Sequence, residues 1–145
     1  MSLRSKVKTL AEHLTGTHIY RVLPFGNDFV QDIAKALPMY HANIVFDVGA
    51  NVGQSAKLFL AKFPSSHIYC FEPVTDTYRQ LRHNLQDNER VDCYQLAFGS
   101  SKGTGEMVLQ DSSDMFFLLG QSKELPKKGV RTESVNIDTL DDFCR

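Results

Sequence analysis

Apolar side chains recur along this chain with two different periods, and the change of period divides it. Leu3, Val7, Leu10 and Leu14 fall at helical spacing, so residues 3 to 14 form an amphipathic helix whose apolar side needs a surface to lie on. Asn27 has the chemistry of an N-cap for a second helix, with Val30, Ile33, Ala34 and Leu37 as its stripe and Pro38 as its stop. From Asn43 the pattern changes. Asn43 to Val48 is a continuous apolar and β-branched run without alternation, the mark of a strand covered on both faces. A glycine turn leads to a helix with Ala56, Phe59, Leu60 and Phe63 on one side, ended by Pro64. A strand over His67 to Glu72 follows, then a helix with the stripe Val74, Tyr78, Leu81 and Leu85, then a strand over Val91 to Phe98.

This βαβαβ order predicts an α/β fold: one wound, Rossmann-like half of an open parallel sheet. Right-handed crossovers place the second strand beside the first and the third beyond it. After Phe98 the helical alternation stops. Gly99 to Gly105 is rich in turn residues, and Glu106 to Gln110 and Arg131 to Ile137 read as additional strands. The polar stretch between those strands, around DSSD and KELPKKG, reads as a loop with solvated charges, and Thr139 to Phe143 opens another helix. Residues 1–42 are thus expected to be a helical segment packed on a domain spanning 43–145.

Composition narrows the partners. With 145 residues, 42% of them apolar and 23% charged, the chain fits one globular domain or part of one. Its net charge of -1 exerts no long-range pull on nucleic acid or an anionic membrane. No apolar run is long enough for a membrane span, and MSLRSKVKTLAEHL lacks the apolar core of a signal peptide, so a cytoplasmic location is expected. Cys70, Cys93 and Cys144 are widely spaced, suggesting buried thiols in strands rather than a disulfide framework or a zinc site. No metal is expected.

The stretch IVFDVGANVGQ, Ile44 to Gln54, carries the informative turn. A dinucleotide fingerprint would need glycines where Asn51 and Gln54 stand, and a phosphate loop would need a lysine where this chain has Gln54-Ser55-Ala56. What remains is Asp47-x-Gly49-x-x-x-Gly53. A carboxylate at the strand tip repels a phosphate and suits a cation. S-adenosylmethionine fits: its ammonium suits Asp47, and its carboxylate suits N–H groups near the start of the following helix. Gly49 and Gly53 admit close backbone approach, and Asn51 tolerates a left-handed conformation. A nucleotide site of this type also wants an acid at the end of the second strand to accept from ribose hydroxyls. Glu72 meets that spacing, and Pro73 sets the turn after it. Adenine would lie by the end of the third strand, near Gln95 to Phe98 and so beside Gln95 and Ala97. Singly, these features have plainer readings: Asp47 as a turn cap, the glycines as packing aids, Glu72 as an exposed strand-end acid. Together, on this frame, they favour the ligand.

The pieces FDVGANVGQ, FEPVTDTYRQLRHNL, QLAFGSSKGTGEM and SVNIDTLDDF resemble the FkbM-type S-adenosylmethionine-dependent methyltransferases over about residues 43–143. The resemblance implies a class I methyltransferase fold in which Asp47, Gly49, Ala50, Asn51, Gly53 and Glu72 match cofactor-contacting positions. It also implies methylation of a hydroxyl on a small molecule, sugar or lipid. In the family a fourth parallel strand follows soon after the Leu-Asp-Asp-Phe element, and this sequence ends before it. The expectation is therefore an incomplete fold: the βαβαβ half plus additional strands, weak or absent cofactor binding and no transfer by the chain alone. Its first strand would be an exposed edge open to self-association. His18, His41, His67, His83, Asp28 and Tyr40 are candidate bases, none singled out by spacing, and Tyr20 to Phe29, with Arg21, is a candidate flap over the cofactor. Two other readings compete. One is a catalytically inactive, methyltransferase-like interaction module; the other, an NAD-dependent oxidoreductase, is disfavoured by Asn51 and Gln54.

Overall fold

The computed structural model describes residues 3–17, 20, 24, 26–109, 117–118 and 131–145. The chain forms two compact units, Met1–His41 and Ala42–Arg145. In the first, α1 (Leu3–Thr15) carries a Lys8–Glu12 ion pair one turn apart, and Val7, Leu10 and Leu14 are exposed. The second helix, α2 (Phe29–Ala36), is capped by Asp28 and not by Asn27. The Asp28 carboxylate accepts from Val30 N and Gln31 N, whereas the Asn27 amide donates back to Pro24 O. Both residue types cap well, so the choice between neighbours rests on which one adopts the extended backbone at the helix start. His18 and Arg21 lie outside the described residues.

The second unit opens with β1 (Ile44–Val48), α3 (Gln54–Lys62), β2 (His67–Phe71), α4 (Thr75–Leu85) and β3 (Val91–Tyr94). The three strands form a parallel sheet in the order β1-β2-β3, the mixed α/β arrangement the apolar periods predict. One face is covered by the helices: Ala56, Leu81 and Leu85 bury against Ile68 and Cys70, with Val45, Phe59 and Cys93 around them. The other face is aromatic, with Phe46, Tyr69, Phe71 and Tyr94 side by side. The apolar run alone reads as a strand covered on both faces and the family resemblance implies an exposed edge; Ile44 and Val48 are each 58% exposed. Among the described residues β1 pairs with β2 alone, so the ends of this edge strand lack the cover a central strand receives.

The expected strand Val91 to Phe98 is two strands. β3 stops at Tyr94, where its partner β2 also ends, and β4 (Ala97–Phe98) joins a different sheet. Between them the Gln95 side chain turns away to Thr75 Oγ1 at 2.8 Å and Pro73 O at 3.4 Å. The second sheet has the order β4-β7-β5-β6, with β5 (Gly103–Leu109), β6 (Phe117–Leu118) and β7 (Arg131–Asp138). β5 and β7 make a long antiparallel ladder, and β4 runs parallel to the end of β7. Val74, Ala97, Met107 and Val135 form its core. β5 starts inside the stretch read as turn, and β6 lies in the stretch read as loop; Gln110 and most of that loop fall outside the described residues.

The final helix, α5 (Leu140–Phe143), is capped by Thr139, whose hydroxyl accepts from Asp142 N at 3.1 Å. It delivers Phe143 edge-on to the aromatic face, 4.9 Å from the Phe71 ring and 5.0 Å from Tyr94, at 84–86°. Of the cysteines, Cys70 is buried in β2 and Cys93 half-buried in β3, but Cys144 is exposed just past α5, against the expectation of a buried strand thiol. Among the described residues no helix is long and apolar enough to cross a membrane.

Candidate functional site

The turn after β1 is bound to the end of β2 by its backbone. Gly49 N and Ala50 N both donate to Phe71 O, at 2.9 and 3.0 Å. Three residues of this turn lie in the left-handed region: Gly49 at φ 81°, Asn51 at φ 50° and Gly53 at φ 97°. The two glycines serve different ends. A Cβ on Gly49 would meet nothing within 4 Å, so open space lies beside it. A Cβ on Gly53 would come within 3.1 Å of Leu85 and 3.2 Å of Leu81, so this glycine lets α4 pack against the turn. Gly53 also occupies the N-cap position of α3 and offers no side-chain cap. With the Gly49 and Ala50 amides engaged, the first turn of α3 is left as the local source of N–H groups.

Two buried carboxylates flank the turn. Glu72, 6% exposed, is not the exposed strand-end acid of its plainer reading. One of its oxygens accepts from Asn51 N at 3.1 Å and the other from Val74 N at 3.0 Å. Burial raises its pKa above the ordinary glutamate value; the Val74 and Asn51 hydrogen bonds pull it back, and the charge of Glu133 pushes it further up. Asp47, 8% exposed, accepts from the Ser55 hydroxyl at 2.6 Å. Burial raises its pKa too, with Ser55 opposing.

Beside these acids opens a cavity of about 580 Å³, a size usual for small-molecule and cofactor sites. Of the residues singled out in the sequence, Gly49, Ala50, Asn51, Glu72, Pro73 and Ala97 line it. Asp47, Gly53 and Gln95 do not: Asp47 stands behind Ser55, Gly53 faces α4, and Gln95 points to the start of α4. Leu96 and Phe98, within the stretch assigned to adenine, do line it. Ser55 and Met107 were not foreseen as lining residues. For Ser55 a signal existed, a hydroxyl in the first helical turn after an Asp-Gly turn. Met107 gave none, since a methionine in an alternating strand reads as core.

The candidate bases are placed apart from this cavity where the second unit holds them. His67 opens β2 at the end opposite Glu72 and pairs with Asp92 at 2.8 Å, and His83 is exposed on α4. Asp28 is occupied as the α2 cap, and Tyr40 and His41 are exposed in the first unit. Among the described residues no cluster of His, Cys, Asp or Glu is arranged to hold a metal ion.

No family model matches the chain. A stretch of 60 residues, 41% of this chain, is 28% identical to the 2-O-methyltransferase NoeI of Sinorhizobium fredii and covers 25% of that protein. The match thus spans about a quarter of that methyltransferase's length. It does not single out one methyltransferase family.

Proposed function

We propose that the second unit is the cofactor-binding part of an S-adenosylmethionine-dependent methyltransferase of the FkbM type, acting on a hydroxyl of a small molecule, sugar or lipid. The observation that carries this reading is Glu72. It is a buried carboxylate at the end of the second parallel strand, fixed by Asn51 N and Val74 N, with lone pairs left to face a cavity bounded by a glycine turn. That arrangement suits a vicinal ribose diol, because each oxygen accepts one backbone N–H and can accept one hydroxyl as well. At the other end, the Ser55 hydroxyl donates to Asp47 and turns its own lone pairs to the cavity. Through it the charge of Asp47 favours an ammonium. N–H groups of the first turn of α3, beside Gln54 and Ser55, suit a carboxylate. Leu96, Ala97 and Phe98 offer apolar contact for a base.

The cofactor supplies a sulfonium methyl group for in-line displacement by the acceptor oxygen. The residues of this chain bind and orient; alignment is the main protein contribution to such a step. Nitrogen-15 NMR tests the reading even if affinity is low. Adding S-adenosylmethionine is expected to shift the Asn51 and Val74 amide resonances, and NADH is expected not to. Shifts confined to other residues, or an equal response to NADH, would reject it.

A further inference from the structure

The start of α4 is capped from another sheet. Val74 occupies the N-cap position and provides no side-chain hydrogen bond. Its place is taken by Glu133 of β7, whose Oε1 accepts from Thr75 N at 2.8 Å and from Thr75 Oγ1 at 2.5 Å. The positive end of a helix dipole favours a carboxylate there. The same Thr75 hydroxyl accepts from Gln95 Nε2 at 2.8 Å, so β7, the helix start and the link from β3 to β4 converge on one oxygen. Immediately before Thr75 runs the turn Glu72-Pro73-Val74, tied by the Val74 N to Glu72 bond. Opposite Glu133 in the β5–β7 ladder stands Met107, which lines the cavity.

We propose that Glu133 is a positioning residue for the cavity: by capping α4 from β7 it fixes the turn that carries Glu72 and holds the Met107 strand beside it. Glu133 itself does not line the cavity. Its capping role stands on geometry alone, and its effect on cofactor affinity rests on the methyltransferase reading above. A second consequence is electrostatic. Glu133 is the charged group whose field reaches Glu72, the other groups facing that carboxylate being the Asn51 and Val74 amides. Its charge adds to burial in raising the Glu72 pKa. A carboxylate accepts hydroxyl hydrogens best when ionised, so affinity falls as pH drops through that raised value. Neutralising Glu133 lowers the value and moves the acid limb to lower pH.

Two variants of the full chain separate these roles. Glu133→Ala removes the cap and the charge; Glu133→Gln keeps an acceptor for Thr75 and removes only the charge. Amide hydrogen exchange at Val74 and Thr75 is expected to speed up in Glu133→Ala and to stay near the unmodified rate in Glu133→Gln. Affinity for S-adenosylhomocysteine is expected to fall about five- to tenfold in Glu133→Ala, the usual worth of a lost cap. In Glu133→Gln, the acid limb of affinity and the carbon-13 titration of the Glu72 carboxyl both move to lower pH. Unchanged exchange in Glu133→Ala overturns the proposal; a Glu72 titration that Glu133→Gln does not move overturns its electrostatic consequence alone. If the unmodified chain binds no S-adenosylhomocysteine, the affinity readouts are lost with the ligand, while exchange and the carboxyl titration, both measured without it, still decide the role of Glu133.

Discussion

Asp47 and Glu72 are both withdrawn from water, but they are held differently. Glu72 has two backbone N–H donors, whereas Asp47 has the Ser55 hydroxyl. For each, burial outweighs the hydrogen bonds and raises the pKa. The folded chain therefore holds the Asp47 proton more tightly than the unfolded chain does. The stability this contributes is complete below the unfolded pKa, about 3.9 for an aspartate, and is lost as pH rises through the raised folded value. At neutral pH the buried charge works against the fold. Asp47→Asn keeps an acceptor for Ser55 and removes the charge, so its thermal midpoint should exceed that of the unmodified chain at pH 7, with the gain fading on acidification. Its affinity for S-adenosylmethionine should drop about five- to tenfold, the worth of about 1 kcal/mol for a charge acting on the ammonium across the Ser55 hydroxyl. Calorimetry at both pH values, with a parallel titration, checks the pair; a lower midpoint at pH 7 would refute the burial argument.

At the scale of elements, α5 has four residues, is capped by Thr139 and meets the aromatic face through Phe143. Phe143 meets Phe46, Phe71, Tyr94 and Phe98 edge-on, the arrangement aromatic quadrupoles favour. Phe143→Ala should cost about 2–3 kcal/mol, below the usual range for a fully buried phenylalanine because this ring is half-buried. Phe143→Leu should cost less, since it keeps most of the volume and forfeits mainly the ring pairs. Urea unfolding measures both, and a change within about 0.5 kcal/mol for Phe143→Ala would show that the contact is idle. The role of this ring was hidden in the sequence, although Thr139 announced its helix. The strand and helix order from Ile44 to Tyr94 was legible because each element buries a face through its own local period. The break at Gln95-Leu96 was not, because Ala97 and Phe98 are claimed by Ile137 and Asp138, far along the chain, and no local pattern records a distant partner. The same limit governs the site. Glu72 and the glycine turn obey a spacing, while Met107 reaches the cavity through β5 pairing and Glu133 reaches Thr75 across 58 positions.

At the scale of the whole second unit, the cavity lies where two sheets meet, with Gly49 and Glu72 belonging to the ends of the parallel strands and Met107 to the antiparallel ladder. One edge of the parallel sheet is β1, which among the described residues has a ladder on one side only and exposes Ile44 and Val48. An apolar edge with open backbone groups is a template for another strand. The chain should therefore self-associate as concentration rises, and a charge on the edge should oppose this. Ile44 is the better position for the change, because Val48 lines the cavity and Ile44 sits at the far end of the strand. Ile44→Lys should shift the mass measured by light scattering towards the monomer while leaving the cofactor-induced shifts of Asn51 and Val74 intact. Equal self-association of the two forms would remove β1 as the contact, and a loss of those shifts would mean that the edge and the cavity are coupled through the strand.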